Sequence, residues 1–243
     1  MTVLKAKRSR RISAVDRYEP KLGNPINQKL GPAIHTWSIT AGESCPGKTA
    51  ACAGCCYAMR GFFCMPSVAS RTDKNLAFSR TSEFAEWMRT ALWAQRVRVM
   101  RIHCAGDFYD EEYIRKWIAV IKRTPRIIYF TYTRSWRLPE LMPAIEEMAL
   151  LPNMRLWFSA DVHSGAAPRI EGLQGITWMA RDDFEARTAP GWADLVFRNR
   201  VDRLMKKANG VQVCPNEIGL PEPHRPLTCT ECQLCFRRKV TQQ

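Results

Sequence analysis

Residues 97–133, "VRVMRIHCAGDFYDEEYIRKWIAVIKRTPRIIYFTYT", decide the fold. "VRVMRIHC" reads as a strand that stops at the turn "AGD". "DEEYIRKWIAVIKR" reads as a helix, with Asp110, Glu111 and Glu112 at its positive end and Lys122 and Arg123 at its negative end. "RIIYFTYT" is the next strand. Strand, helix, strand in this order predicts two parallel strands joined by a right-handed crossover.

The rhythm continues in both directions. Before it come a strand "HTWSIT" and a cysteine-rich loop. Then follows "TSEFAEWMRTALWAQR", whose Phe84, Trp87, Met88, Ala91 and Leu92 share one helical face, with Thr81 or Ser82 to cap it. After it come a helix in "LPELMPAIEEMALL", where Pro143 marks a later start, and strands in "MRLWFSA", "GITWMA", "ADLVFRN" and "GVQVC". About six such units favour an α/β fold of the partial (βα)6 parallel-barrel type over a doubly wound sheet, although periodicity alone does not separate them. Three segments are expected: a basic N-terminal arm (1–33), the barrel (34–213) and a cysteine-rich C-terminal extension (214–243).

Polar residues gather where strands end: His103 and Asp107, then Thr133, Arg134 and Ser135, then Ser159, Asp161 and His163, then Arg181 and Asp182, then Arg198 and Asn199, and finally Cys214. In a parallel barrel these ends share one face, where the loops after the strands build active sites.

The chain has 243 residues and 46% hydrophobic content, enough for a sizeable core. No run reaches the roughly 18 apolar residues of a membrane span, and the N-terminus lacks the apolar stretch of a signal peptide, so a cytoplasmic protein without membrane contact is expected. Ten cysteines in a chain with eight tryptophans suit metal ligation better than a secreted disulfide scaffold. A net charge of +14 and a pI near 9.6 point to polyanionic partners, a nucleic acid or nucleotide first.

Cys45, Cys52 and Cys56 stand as C-x6-C-x3-C, with Cys55 interposed and pointing elsewhere. Three thiolates on a four-iron cluster leave one iron open, whereas structural zinc needs a fourth ligand, which His35, Cys64 or Cys104 could supply. Cys214, Cys229, Cys232 and Cys235 form C-x14-C-x2-C-x2-C, the spacing of a closed iron–sulfur cluster or of a zinc ribbon. Cys64 and Cys104 read as core thiols. His103 and His163 are candidates for acid–base roles or for ordinary structural ones, and Tyr57 for packing on adenine or in the core.

"SITAGESCPGKTAACAGCCYA", "RIHCAGDFYDEEYI" with "FTYTRS", and "CTECQLC" resemble the phage "gene product eighty-eight" family over residues 35–235. More distantly, a strand, a three-cysteine loop ending in CYA and a glycine–acid turn resemble the radical S-adenosylmethionine (SAM) barrel. That resemblance implies a 4Fe-4S cluster on Cys45, Cys52 and Cys56. It also implies that the turn with Gly106 and Asp107 contacts the SAM amine; beside the resemblance, Ser159, Asp161 and Arg198 are candidates to hold ribose or carboxylate. The chain departs from the usual C-x3-C-x2-C spacing and has one glycine and an aspartate where such barrels carry Gly-Gly-Glu.

The expectation is therefore an iron–sulfur enzyme with two 4Fe-4S clusters and SAM, using an electron donor to modify a nucleic acid or nucleotide. Its alternatives are a non-catalytic iron–sulfur or zinc-stabilised protein that binds nucleic acid or senses redox state, and a zinc-bearing barrel using Asp107 and Asp161 as paired carboxylates.

Overall fold

The computed structural model describes residues 20–23, 29–198, 207–217 and 227–237, with Arg198 described by its backbone alone. Most of the expected basic arm therefore lies outside the described residues. Eight strands form one sheet: β1 (Ile34–Trp37), β2 (Val99–Ile102), β3 (Ile128–Thr133), β4 (Met154–Ala160), β5 (Gly175–Ala180), β6 (Leu195–Arg198), β7 (Lys207–Ala208) and β8 (Val211–Val213). Their order is β1-β2-β3-β4-β5-β6-β8-β7. All neighbours pair in parallel except β7, which is antiparallel to β8.

From β1 to β6 every step goes to the next strand in the chain, and the order never reverses. A doubly wound sheet has a switch point where it does. Right-handed crossovers that all run one way put their helices on one face. That face carries Trp37, Met100, Ile102, Tyr129, Leu156, Phe158 and Ile176. Against it pack residues of α3 (Phe84–Ala94), α4 (Glu111–Arg123) and α5 (Met142–Ala149), including Met88, Leu92, Trp117, Ile121 and Ile145. Burying each such side chain contributes about 1.5–3 kcal/mol.

The register turns Thr36, Arg101, Phe130 and Arg155 to the opposite face in one row. Among the described residues, no helix of the crossovers covers it. Instead Ile34, Phe130, Trp157 and Leu195 are covered by Leu30 and by Cys235 and Phe236 of the C-terminal segment. Trp157 Nε1 donates to the Cys235 carbonyl at 2.8 Å, and Gln174 Nε2 to that of Arg237 at 2.9 Å. The C-terminal segment is thus part of the same packed body, and Cys214 directly follows a strand of the sheet.

Several local expectations change. The helix α2 (Pro66–Ser79) carries no apolar stripe, because Thr72, Asn75 and Ser79 are buried beside Val68 and Leu76, so hydrophobic periodicity passes it over. Asn75 earns its burial by donating to the Ser38 carbonyl at 2.9 Å. Neither Thr81 nor Ser82 caps α3: the helix starts at Phe84 after Glu83 with no side-chain cap, and the Thr81 hydroxyl donates back to Phe78 of the preceding helix. α5 begins at Met142, with Pro143 in its first turn and a separate 3-10 turn at Pro139–Leu141. Asn209 and Gly210, both at positive φ, close a two-residue hairpin between β7 and β8, a turn announced by "NG" in the sequence. Cys64 is exposed rather than a core thiol, because its short 3-10 turn, Gly61–Cys64, buries no residue. Among the described residues, no helix is long and apolar enough to cross a membrane.

Candidate metal-binding and cofactor site

The cysteine loop leaves β1 and enters α1 (Ala50–Cys55). Thr49 is its N-cap: the side-chain oxygen accepts from Cys52 N at 3.0 Å, satisfying one of the free amides of the first turn. A second, Ala51 N, donates to His163 Nδ1 at 3.2 Å. The Thr49 hydroxyl in turn donates to Asp161 Oδ2 at 2.6 Å. A helix of six residues has little stability of its own, so these contacts to the end of β4 fix where its cysteines point.

Asp161 is fully enclosed. Its Oδ2 also accepts from Arg134 Nη1 at 2.5 Å, and its Oδ1 from the amides of His163 and Ser164. Arg134, after β3, donates its backbone N–H to Asp107 Oδ2 at 2.8 Å, while Asp107 Oδ1 accepts from the Thr133 hydroxyl and from Phe108 N. A continuous polar chain thus runs from Asp107 through Arg134 and Asp161 to Thr49, tying the turns after β2, β3 and β4 to the cysteine helix. Burial raises the Asp107 pKa, and the bonds from Thr133, Arg134 and Phe108 pull against that rise.

Gly106 permits the close approach of this turn to the segment ahead of Cys45. Its φ is +86°, and a Cβ would stand 2.3 Å from Ile39 Cγ1 and 2.7 Å from Ser44 Oγ. Asp107 N donates to the Ser44 carbonyl.

Cys45, Cys52 and Cys56 are mutual electrostatic neighbours, and Asp107 is a further neighbour of Cys45. Burial pushes the Cys45 thiol up to about 12, with Asp107 adding to the effect, and raises Cys52 as well. Metal ions remove that penalty by replacing the thiol proton. Cys55 is also an electrostatic neighbour of Cys52 and Cys56, but its Sγ is engaged elsewhere: it donates to the Ala51 carbonyl at 3.1 Å and lies 3.7 Å from Met179 Sδ.

The second group is held by a short helix, Cys229–Cys232, which opens on a capping box between Thr228 and Glu231. Cys229 N and Thr230 N donate to the carbonyls of Lys29 and Leu30, both at 2.9 Å. Cys214, Cys229, Cys232 and Cys235 together line one small recess, with Leu195 and Phe236 at its wall. Burial pushes Cys214 up to about 12 and Cys235 up to about 11. All ten cysteines are free thiols. Among the described residues, no group of three or more His, Cys, Asp or Glu side chains is placed to hold a single metal ion. The four cysteines that line the recess offer an all-thiolate donor set.

The sheet edge therefore brings together Cys45, Cys52, Cys56, Gly106, Asp107 and Asp161. Ser159 is on the helix-free face opposite Thr177, with its carbonyl accepting from Trp136 Nε1. Arg198 closes β6 beside Ala180, and its side chain is outside the described residues. His103 is a core residue, bonded through Nε2 to the Tyr113 hydroxyl at 3.0 Å. Both carboxylates of the imagined zinc pair are engaged by Arg134. Sequence reasoning named Arg134 only as a polar residue at a strand end. It missed Thr49, whose position three residues before Cys52 is a capping signature legible in "KTAAC".

Residues 5–238 match the family model described as Gene product 88. The Gene 88 protein of Mycobacterium phage L5 is 29% identical over 220 residues, covering 82% of this chain and 81% of the relative. The Gene 88 protein of Mycobacterium phage D29 is 28% identical over 131 residues, 49% of this chain and 53% of the relative. No solved structure matches.

Proposed function

The chain belongs to the gene product 88 family, and we propose that it is an iron–sulfur enzyme with a radical-SAM-like partial barrel that modifies a nucleic acid or nucleotide. The observation that carries this reading is the convergence of Cys45, Cys52 and Cys56 beside Asp107 at one edge of a sheet wound in a single direction. Single-direction winding is that of barrels, and their chemistry is built at this edge. Cys214, Cys229, Cys232 and Cys235 supply a closed thiolate set for a second cluster.

Cys45, Cys52 and Cys56 would hold a four-iron cluster, which would supply an open iron for the amino-carboxylate of SAM and, given an electron donor, an electron for its sulfonium. The residues of this chain orient that site. Thr49, Asp161 and His163 hold α1, and Asp107 shapes the turn that faces Cys45. Both Asp107 oxygens already accept bonds from the chain, so a contact to the SAM amine would be an additional one. On the rim, Tyr57, Met59, Phe62 and Met65 present large apolar surfaces to solvent around Arg60. Exposed aromatics beside cations suit base stacking on a polyanion, in keeping with the charge of +14.

The test is anaerobic purification with analysis for iron, sulfide and zinc, followed by electron paramagnetic resonance of the reduced protein with and without SAM. Two four-iron clusters require about eight irons and eight sulfides per chain. A spectrum that changes on adding SAM supports an open iron. Stoichiometric zinc without acid-labile sulfide overturns the reading. Full iron with a spectrum indifferent to SAM favours the non-catalytic alternative.

A further inference from the structure

Arg101 presents an electrostatic problem on the helix-free face of the sheet. It stands in β2 with its guanidinium 5.4 Å over the Tyr132 ring, and its Nη2 is 3.5 Å from the Tyr57 hydroxyl. Its Nε is shielded from solvent and meets no acceptor. Among the described residues no carboxylate pairs with it, whereas its cationic neighbour Lys29 pairs with Glu217 at 2.7 Å. A guanidinium keeps its charge, and a half-buried guanidinium with a shielded Nε and no carboxylate beside it leaves part of its desolvation cost uncompensated. Something anionic belongs beside it.

The neighbours say where. Tyr132, Cys104 and Cys229 pack against the same apolar cluster as Cys235, and Cys104 and Cys229 are electrostatic neighbours of Arg101. Cys229 and Cys235 line the four-cysteine recess. Four thiolates around an iron–sulfur core carry net negative charge in both oxidation states, and more in the reduced one. Lys29, already tied to Glu217, supplies little net compensation.

We propose that Arg101 is the counter-charge of an anionic iron–sulfur cluster held by Cys214, Cys229, Cys232 and Cys235, and that it raises the reduction potential of that cluster. This rests on the iron–sulfur reading above. Arg101 is a positioning residue for charge and ligates nothing.

The experiment uses the full chain carrying Cys45→Ala, Cys52→Ala and Cys56→Ala, so that only the C-terminal cluster contributes, with Arg101, Arg101→Lys or Arg101→Met. Each is reconstituted anaerobically with iron and sulfide, titrated with dithionite, and melted with and without metal. Arg101→Met should move the midpoint to more negative potential, because a nearby positive charge favours the reduced, more anionic cluster, and Arg101→Lys should keep it close to the parent. Without metal, Arg101→Met should melt no lower than the parent, since it removes an uncompensated charge; with metal it should melt lower. An unchanged midpoint at full iron content, or a metal-free Arg101→Met protein that melts lower, overturns the assignment while leaving the iron–sulfur reading intact. A parent chain that takes up no iron overturns both.

Discussion

The hydroxyl of Thr49, the residue that starts the cysteine helix, donates to Asp161 at the end of β4 across a sequence separation of 112 residues, at 2.6 Å. The same side chain caps the helix by accepting from Cys52 N. One threonine thus joins the local geometry of the cysteine loop to the far half of the sheet, and Arg134 holds the receiving carboxylate in place.

Thr49→Val keeps the shape and removes both bonds. A lost N-cap costs about 1 kcal/mol, and an enclosed carboxylate left short of a donor adds about 1–3 kcal/mol. Denaturant titration should show a loss in this range. Iron analysis should show the N-terminal cluster diminished and the C-terminal one retained. Equal loss from both groups would separate Thr49 from the cysteine helix.

Replacing Cys45, Cys52 or Cys56 by alanine should remove about half the iron, the share of one of two four-iron clusters. Cys55→Ala should leave iron unchanged, because its thiol bonds the Ala51 carbonyl and lies against Met179. Iron lost with Cys55 and kept without Cys56 would reverse the ligand assignment.

His103 governs an acid-sensitive part of the stability. Burial, with Arg101 nearby, lowers its pKa from 6.5 to about 3 in the folded chain. Below 6.5 the unfolded chain takes up a proton that the folded one refuses. The stability tied to this group is therefore complete above pH 6.5 and declines as pH falls towards 3, by about 1.4 kcal/mol per unit at most. His103 has a φ of 61°, which asparagine tolerates, so His103→Asn removes the titration without backbone strain. The stability difference between the two proteins should change across pH 6.5 to 4. A constant difference contradicts the assignment.

Salt dependence tests the basic surface. Log affinity for single-stranded nucleic acid should fall linearly with log salt, by about 0.7 per phosphate contact. Removing residues 1–11, with Lys5, Lys7, Arg8, Arg10 and Arg11, should flatten that slope. An unchanged slope would assign the arm to solubility.

The core strands and the grouping of cysteines were legible in the sequence. "MRLWFSA" and "GITWMA" became β4 and β5 residue for residue, since buried strands read as short apolar runs bounded by turns. "DEEYIRKWIAVIKR" became α4, capped by Asp110 with acids first and bases last, because those signals act within one turn. Periodicity did not reach α2, whose buried face is half polar, nor the start of α3, where Thr81 bonds its own preceding turn. Long-range packing alone set the unreversed order from β1 to β6, the places of both cysteine groups on one sheet, and the covering of the helix-free face by the C-terminal segment. It alone joined Asp107, Arg134, Asp161 and Thr49, and left Arg101 without a carboxylate among the described residues. The reason is physical: capping and periodicity are written in neighbouring residues, whereas the partner of a buried charge is set by which distant strand ends the sheet brings side by side.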